Sequence, residues 1–253
     1  MHMIDAAKVA PKTLIIVPTY EEEENIDLLL DGIFSNVPHV HVLFVDDNSL
    51  DGTQQKINAR KSLKPEQVFM LARPSKLGLG TAYLTGFAWA LARGYDNVIE
   101  MDADLSHNPA YLPSMLNALQ TSDVVIGSRY IAGGGTKNWH VMRRWISRFG
   151  SFYGRLILGV QTKDLTGGFN GWTKKALTKI DLKAIRSEGY AFQIELKYSA
   201  HLANLRTTEI PIIFVDRRVG HSKMSFRIVL EAMLMVPSLR SRHKKSHPTH
   251  LSP

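Results

Sequence analysis

Short apolar runs alternate with helical periodicities along the first half of the chain. Thr13–Pro18 (TLIIVP) is apolar without a polar alternation, as a strand covered on both faces should be. Ile26, Leu29, Leu30 and Ile33 then recur at helical spacing on one face. Val40–Val45 (VHVLFV) and Gln67–Leu71 read as further strands, Leu79–Arg93 as an apolar helix, and Asn97–Met101 and Ser122–Ile126 as two more strands. Strands separated by helices predict an α/β fold with a mostly parallel sheet flanked by helices. Beyond Gly133-Gly134-Gly135 the pattern predicts helices near Arg143–Leu158 and Ala191–Leu202 and a strand over Glu209–Val215. Ser225–Leu239 reads as a C-terminal amphipathic helix, with Phe226, Val229, Leu230, Met233 and Leu234 on one side.

Polar clusters fall where these strands end, and ligands of open α/β sheets bind at that edge. Asp102-Ala103-Asp104 follows the Asn97–Met101 strand, and two carboxylates at i and i+2 of a strand end can face one cleft. Hard oxygens of this kind suit Mg2+ or Mn2+, with diphosphate oxygens completing the coordination. The other reading is a capping pair ahead of the helix that Pro109 opens. Asp46-Asp47 ends the second strand, where acidic side chains accept hydrogen bonds from ribose hydroxyls or base N–H groups. Pro18-Thr19-Tyr20 with Glu21–Glu24 ends the first strand and also starts a helix. Lys76-Leu77-Gly78-Leu79-Gly80 is a basic, flexible entry to a helix N-terminus, suited to phosphate.

Charge divides the chain unevenly. Residues 1–135 hold 10 Lys/Arg against 16 Asp/Glu, whereas residues 136–253 hold 21 against 7. An acidic half suits a metal, and a basic half suits phosphates or an anionic surface; two differently solvated faces would look the same. The pI near 9.6 raises nucleic-acid binding, but no basic stretch is interleaved with aromatics and the first half is acidic. A nucleotidyltransferase would carry a Gly-rich loop where Pro18-Thr19-Tyr20 stands. The 253 residues contain no cysteine, which excludes disulfides and fits a cytosolic setting. No run approaches the roughly 18 apolar residues of a membrane span.

Together and in order, PTYEEEEN, VDDNSLDGT, KLGLGTAYLTGFAWA, EMDADLSHNP, GSRY, RRWISR, DLTGGF, GYAFQIEL and FVDRRVGHSKMS resemble the family-2, GT-A-fold glycosyltransferases. Within them the chain is most similar to the dolichol/polyprenol phosphate mannose synthases, especially actinobacterial members. The resemblance implies a Rossmann-like GT-A domain over residues 13–240, and the polar, His/Lys-rich, Pro-containing stretch 241–253 reads as a basic, disordered tail. Residues 13–135 would serve nucleotide sugar and metal, and residues 136–240 the acceptor phosphate. It also implies inverting transfer of mannose from GDP-mannose to a polyprenyl phosphate; a polyprenyl phosphate glucosyltransferase is the alternative.

By position, the resemblance assigns Pro18, Tyr20, Glu22, Val45 and Asp47 to the donor nucleoside. Asp102, Ala103 and Asp104 would form the metal and diphosphate site, with Ser106 where several relatives have Gln. Arg129, Arg217 and Lys223 would hold phosphates, and Arg143, Arg144 and Arg148 fall in the acceptor-phosphate stretch. Replacing Arg129 or Arg217 is expected to slow turnover while leaving stability nearly unchanged. Glu21, Asn170 and His221 depart from the usual pattern. The lipid acceptor implies a peripheral protein on the cytoplasmic face of a membrane, held by the surface or by a membrane-embedded partner. The 225–239 stripe, followed by Arg240, Arg242, Lys244 and Lys245, has the interfacial pattern for that, although a terminal helix packed on the core would share it.

Overall fold

A computed structural model of the chain describes residues 11–216 and 235–241. Arg217, Lys223, most of the expected 225–239 helix and the tail from 242 onward lie outside the described residues.

Nine strands are present among the described residues: β1 (Thr13–Thr19), β2 (His41–Asp46), β3 (Val68–Ala72), β4 (Asn97–Glu100), β5 (Val124–Ser128), β6 (Gly135–Lys137), β7 (Asn170–Thr173), β8 (Thr207–Pro211) and β9 (Ile213–Val215). Seven form one sheet in the order β3-β2-β1-β4-β7-β5-β8. All its pairings are parallel except those of β7, which runs antiparallel between β4 and β5. The remaining two, β6 and β9, pair in parallel as a small second sheet. The helices are α1 (Ile26–Asn36), α2 (Thr53–Leu63), α3 (Leu79–Ala92), α4 (Leu112–Leu119), α5 (Val141–Leu158), α6 (Lys174–Lys179) and α7 (Gly189–Leu202), with a last helix at 235–241.

The period-2 geometry of the strands sorts their apolar residues onto two faces. Leu14, Ile16, Leu43, Val45 and Val98 pack with Ala82, Tyr83 and Phe87 of α3 and Phe192 and Leu196 of α7. Ile15, Val17, Val42, Phe44 and Ile99 pack with Ile26, Leu29, Leu30 and Ile33 of α1 and Leu112, Met115 and Leu119 of α4. Both faces are covered, which is why the strands read as continuous apolar runs. A third cluster joins Leu158, Leu165, Ile194 and Tyr198 to Val236 and Leu239 of the last helix. Arg240 of that helix donates to Ile157 O (2.8 Å), near the end of α5.

Two expectations change in detail. The single strand expected at 209–215 is two, because the chain leaves the main sheet at Pro211 and joins β6 from Ile213. Proline has no N–H to continue a ladder, and Ile212 N instead donates to Ser128 O (3.1 Å). The pattern also gave no sign of β7, whose Asn-Gly-Trp-Thr sequence sits at the centre of the sheet.

Candidate active site

The carboxyl ends of β1, β2 and β4 open onto one cleft of about 200 Å³. Pro18, Tyr20, Glu22, Asp47, Asp102, Ala103 and Asp104 all line it, together with Lys76, Gly78 and Leu79. Each strand is followed by a non-glycine residue in the left-handed region: Glu21 (φ 57°), Asn48 (φ 60°) and Leu105 (φ 60°). Such conformations cost of order 1–3 kcal/mol and persist where the surroundings enforce them, so three around one cleft mark turns fixed by their surroundings.

Asp47 lines the cleft, but its carboxylate is largely engaged. One oxygen takes the Arg73 guanidinium and the other accepts Leu77 N and Gly78 N (3.1 Å each). Arg73 in turn donates to Thr81 Oγ1 (2.7 Å) and Gly78 O (2.9 Å). Asp47 therefore shapes the 76–78 loop, which carries Lys76 to 3.5 Å from the centre of the Tyr20 ring. Neighbouring Asp46 is fully buried and accepts from Thr19, Ser49 and Gln54, a structural task.

Asp104 is buried at the cleft floor and accepts from Ser106 N (3.1 Å), closing the tight turn at Leu105. Asp102 is more open, and Tyr83 Oη donates to it at 3.3 Å. The buried His107 accepts Asp102 N–H on Nδ1 (3.0 Å), and burial lowers its pKa, so a neutral ring stands behind the two carboxylates. Among the described residues no cluster of three His, Cys, Asp or Glu side chains forms a cage. Two carboxylates facing an open cleft fit a Mg2+- or Mn2+-like ion that keeps water and phosphate oxygens as its other ligands.

Two expected contacts take other places. Val45 is fully buried in the core, because its strand position points it at α3 rather than the cleft. Ser106 is also buried: its backbone N–H braces the turn beside the acidic pair, and its hydroxyl has no hydrogen-bond partner among the described residues.

The basic residues lie around α5. Arg129 is buried and donates to both oxygens of Asp164 (2.7 and 2.6 Å) and to Thr166 Oγ1 (2.8 Å), with Tyr130, Trp139 and Phe214 rings around it. Burial pushes the Asp164 carboxyl up, but the Arg129 guanidinium outweighs this and holds it below the usual range. The expectation that Arg129→Ala leaves stability untouched is therefore corrected: the change strands a buried charge. It should cost about 3–5 kcal/mol of stability at neutral pH. The depressed Asp164 pKa means the pair's contribution is present above the unfolded carboxylate pKa and is lost as pH falls through the folded value. Denaturant midpoints of both proteins from neutral to acidic pH test this; equal midpoints throughout would leave the pair without net worth.

Arg143 pairs with Asp216 (2.8 Å) and covers the Trp139 ring at 4.0 Å, while Arg144 donates to Trp139 O (3.2 Å). Arg148 lies by Tyr130 and lines a second cleft, of about 330 Å³, with Trp145, Phe149, Phe152, Arg155 and Lys163. Here α5 is inverted relative to an ordinary surface helix. It buries Ser147, Ser151 and Gly154 and exposes Val141, Met142, Trp145, Phe149, Phe152 and Leu156. A Cβ at Gly154 would stand 2.9 Å from Leu165, so small residues allow close packing and the large ones turn outward. Spacing along 141–156 carried this signal, and reading only the arginines of that stretch missed it. Asp164, His107 and Lys197 had no local signal; their partners come from distant segments.

Residues 14–181 match glycosyl transferase family 2. The polyprenol monophosphomannose synthase of Mycolicibacterium smegmatis is 43% identical over 92% of this chain and 89% of its own length. The undecaprenyl-phosphate mannosyltransferase of Micrococcus luteus is 45% identical, over 89% and 92%. The fold matches that of glucosyl-3-phosphoglycerate synthase from Mycobacterium tuberculosis in complex with phosphoglyceric acid, with TM-score 0.66, 19% identity and coverage of 92% and 82%. Another crystal structure of that synthase, holding Mn2+, UDP and glucosyl-3-phosphoglycerate, gives TM-score 0.62 at 18% identity, covering 92% and 80%.

Proposed function

This chain belongs to glycosyl transferase family 2 and is a glycosyltransferase, and from that premise we propose that it transfers mannose from GDP-mannose to a polyprenyl phosphate with inversion at the anomeric carbon. The observation that carries the reading is a pair of clefts of opposite character: an acidic one at the strand ends, and a basic, apolar one along α5. The first suits a nucleotide sugar, the second the phosphate and chain of an isoprenoid. Both curated relatives bear names of this activity, which supports the acceptor class.

A phosphate monoester has its second pKa near 6 and is largely dianionic at neutral pH. It attacks without giving up a proton, so the protein needs no general base; its task is charge management. Asp102 and Asp104 would hold the divalent ion, which when bound offsets the charge of the departing diphosphate. The Mn2+ and UDP held by a synthase of the same fold support that arrangement. Tyr20, Glu22 and Lys76 would receive the nucleoside end of the donor, on a loop that Asp47 and Arg73 set. Arg148 and Arg155, with Arg217 and Lys223 from the segment outside the described residues, would bring the acceptor phosphate to the sugar.

The work divides at about residue 135 between a donor half and an acceptor half. Among the described residues no helix is long and apolar enough to cross a membrane. The outward-turned face of α5 supports peripheral attachment instead, on the face where nucleotide sugars are found.

Incubation of the purified protein with labelled GDP-mannose, polyprenyl phosphate and Mg2+ or Mn2+ should yield labelled lipid on solvent extraction. An excess of unlabelled UDP-glucose should not compete. Label in lipid from UDP-glucose but not from GDP-mannose would transfer the assignment to a glucosyltransferase.

A further inference from the structure

One loop, residues 164–168, touches both halves of the site, and a buried amine holds it. Lys197 of α7 is 4% exposed. Its Nζ donates to Gly167 O (2.5 Å) and Leu165 O (3.2 Å). An ammonium has three donors, so two of them go to carbonyls of this loop. At one end of the loop Asp164 grips the Arg129 guanidinium and accepts Gly167 N (3.0 Å), while Thr166 adds a further bond to Arg129. At the other end Gly168 lies beside Asp102. A Cβ there would stand 3.9 Å from Asp102 Oδ1 and 3.7 Å from His107.

We propose that Lys197 is a positioning residue: by clamping the 164–168 loop it sets the distance between the acidic cleft at Asp102 and the Arg129–Asp164 pair, whose neighbour Tyr130 lines the basic cleft beside Arg148. The inference rests on the functional reading above, since it concerns how donor and acceptor ends are spaced. It touches no substrate itself. Stability alone does not account for a lysine at this position. Buried ions are costly to desolvate, and an apolar side chain of similar volume often does as well or better there. What methionine cannot supply is the pair of bonds to Leu165 O and Gly167 O. Misplacing reacting groups by about 1 Å can cost roughly a hundredfold in rate, so a slack loop should show in turnover rather than in donor binding.

The test uses K197M, E100Q and K197M/E100Q in the full chain. Glu100 is fully buried and bonded to Asn170 (2.6 Å), so K197M alone leaves an excess buried negative charge and can fail to fold. The double variant removes both charges and keeps the loop unclamped. Relative to E100Q it should lose about ten- to a hundredfold in kcat per folded molecule. Its affinity for GDP with Mn2+, measured without acceptor, should stay unchanged. Amide hydrogens of 164–169 should exchange at least about tenfold faster, as they do when local structure opens more readily. Wild-type exchange in that segment, or E100Q-like kcat in the double variant, would overturn the clamp. The exchange measurement needs no substrate. If the wild type moves no sugar to polyprenyl phosphate, the functional reading fails while the clamp is still tested.

Discussion

Asp104→Ala should lose sugar transfer by about a thousandfold or more while unfolding close to the wild-type midpoint. Asp104 and Asp102 line the same cleft, the donor set is hard oxygen, and no third His, Cys, Asp or Glu side chain completes a cage among the described residues. An ion held by so few protein ligands depends on each of them. Withdrawing the charge that offsets a departing diphosphate costs several kcal/mol, and about 4 kcal/mol corresponds to a factor near a thousand. The fold should tolerate the change because the bond that Asp104 accepts from Ser106 N braces a local turn, and removing the carboxylate also relieves repulsion from Asp102. The loss of that bond is worth about 1 kcal/mol. Chelator should mimic the mutation in wild type, and added Mn2+ should restore the wild type but not the variant. Near-normal turnover of the variant, or full wild-type turnover in excess chelator, would take the metal out of the reaction.

Much of the donor cleft was legible because its parts are local. A buried strand, its terminal carboxylate and the turn that follows lie within a few residues of one another, as in Asn97–Asp104. What escaped was set by long-range pairing. Asp47 and Arg129 stand at strand ends like ligand-binding residues, yet their charges are answered by Arg73 and by Asp164, far along the chain. Strand β7 escaped because Asn170 and Gly171 are poor strand formers; the slot between β4 and β5 and the bond from Asn170 to Glu100 hold them extended. The outward apolar face of α5 escaped for a related reason. Periodicity reveals that a helix has an apolar side, but only packing decides whether that side is covered. In the last helix Val236 and Leu239 are buried, whereas α5 turns its apolar side out.

That outward side supports the largest expected effect on membrane binding. Replacing Trp145, Phe149, Phe152 and Leu156 together with serine should abolish association with anionic vesicles and leave the melting temperature nearly unchanged. The four side chains are 69%, 54%, 59% and 68% exposed, so little of the core depends on them. Fully burying such a side chain contributes about 1.5–3 kcal/mol, and roughly half of each remains to be buried on a surface. Four residues then supply about 4 kcal/mol, close to three orders of magnitude in partitioning. Arg144, Arg148 and Arg155 on the same helix add roughly 1 kcal/mol each near anionic lipid. The two contributions separate by salt, because the Debye length falls to about 3 Å at 1 M and screens the arginines but not the apolar stripe. Vesicle co-sedimentation should therefore show wild type weakened by salt yet still bound, and the serine variant unbound at high salt and nearly so at low salt. Affinity for GDP with Mn2+ should survive in the variant, since none of the four residues lines the acidic cleft, whereas transfer to an acceptor in detergent should weaken, because Trp145, Phe149 and Phe152 also line the basic, apolar cleft. If the variant sediments with vesicles as wild type does at both salt concentrations, α5 is not the lipid-facing surface. Attachment would then fall to the 217–234 segment or to a membrane-embedded partner, and α5 would be the face such a partner covers.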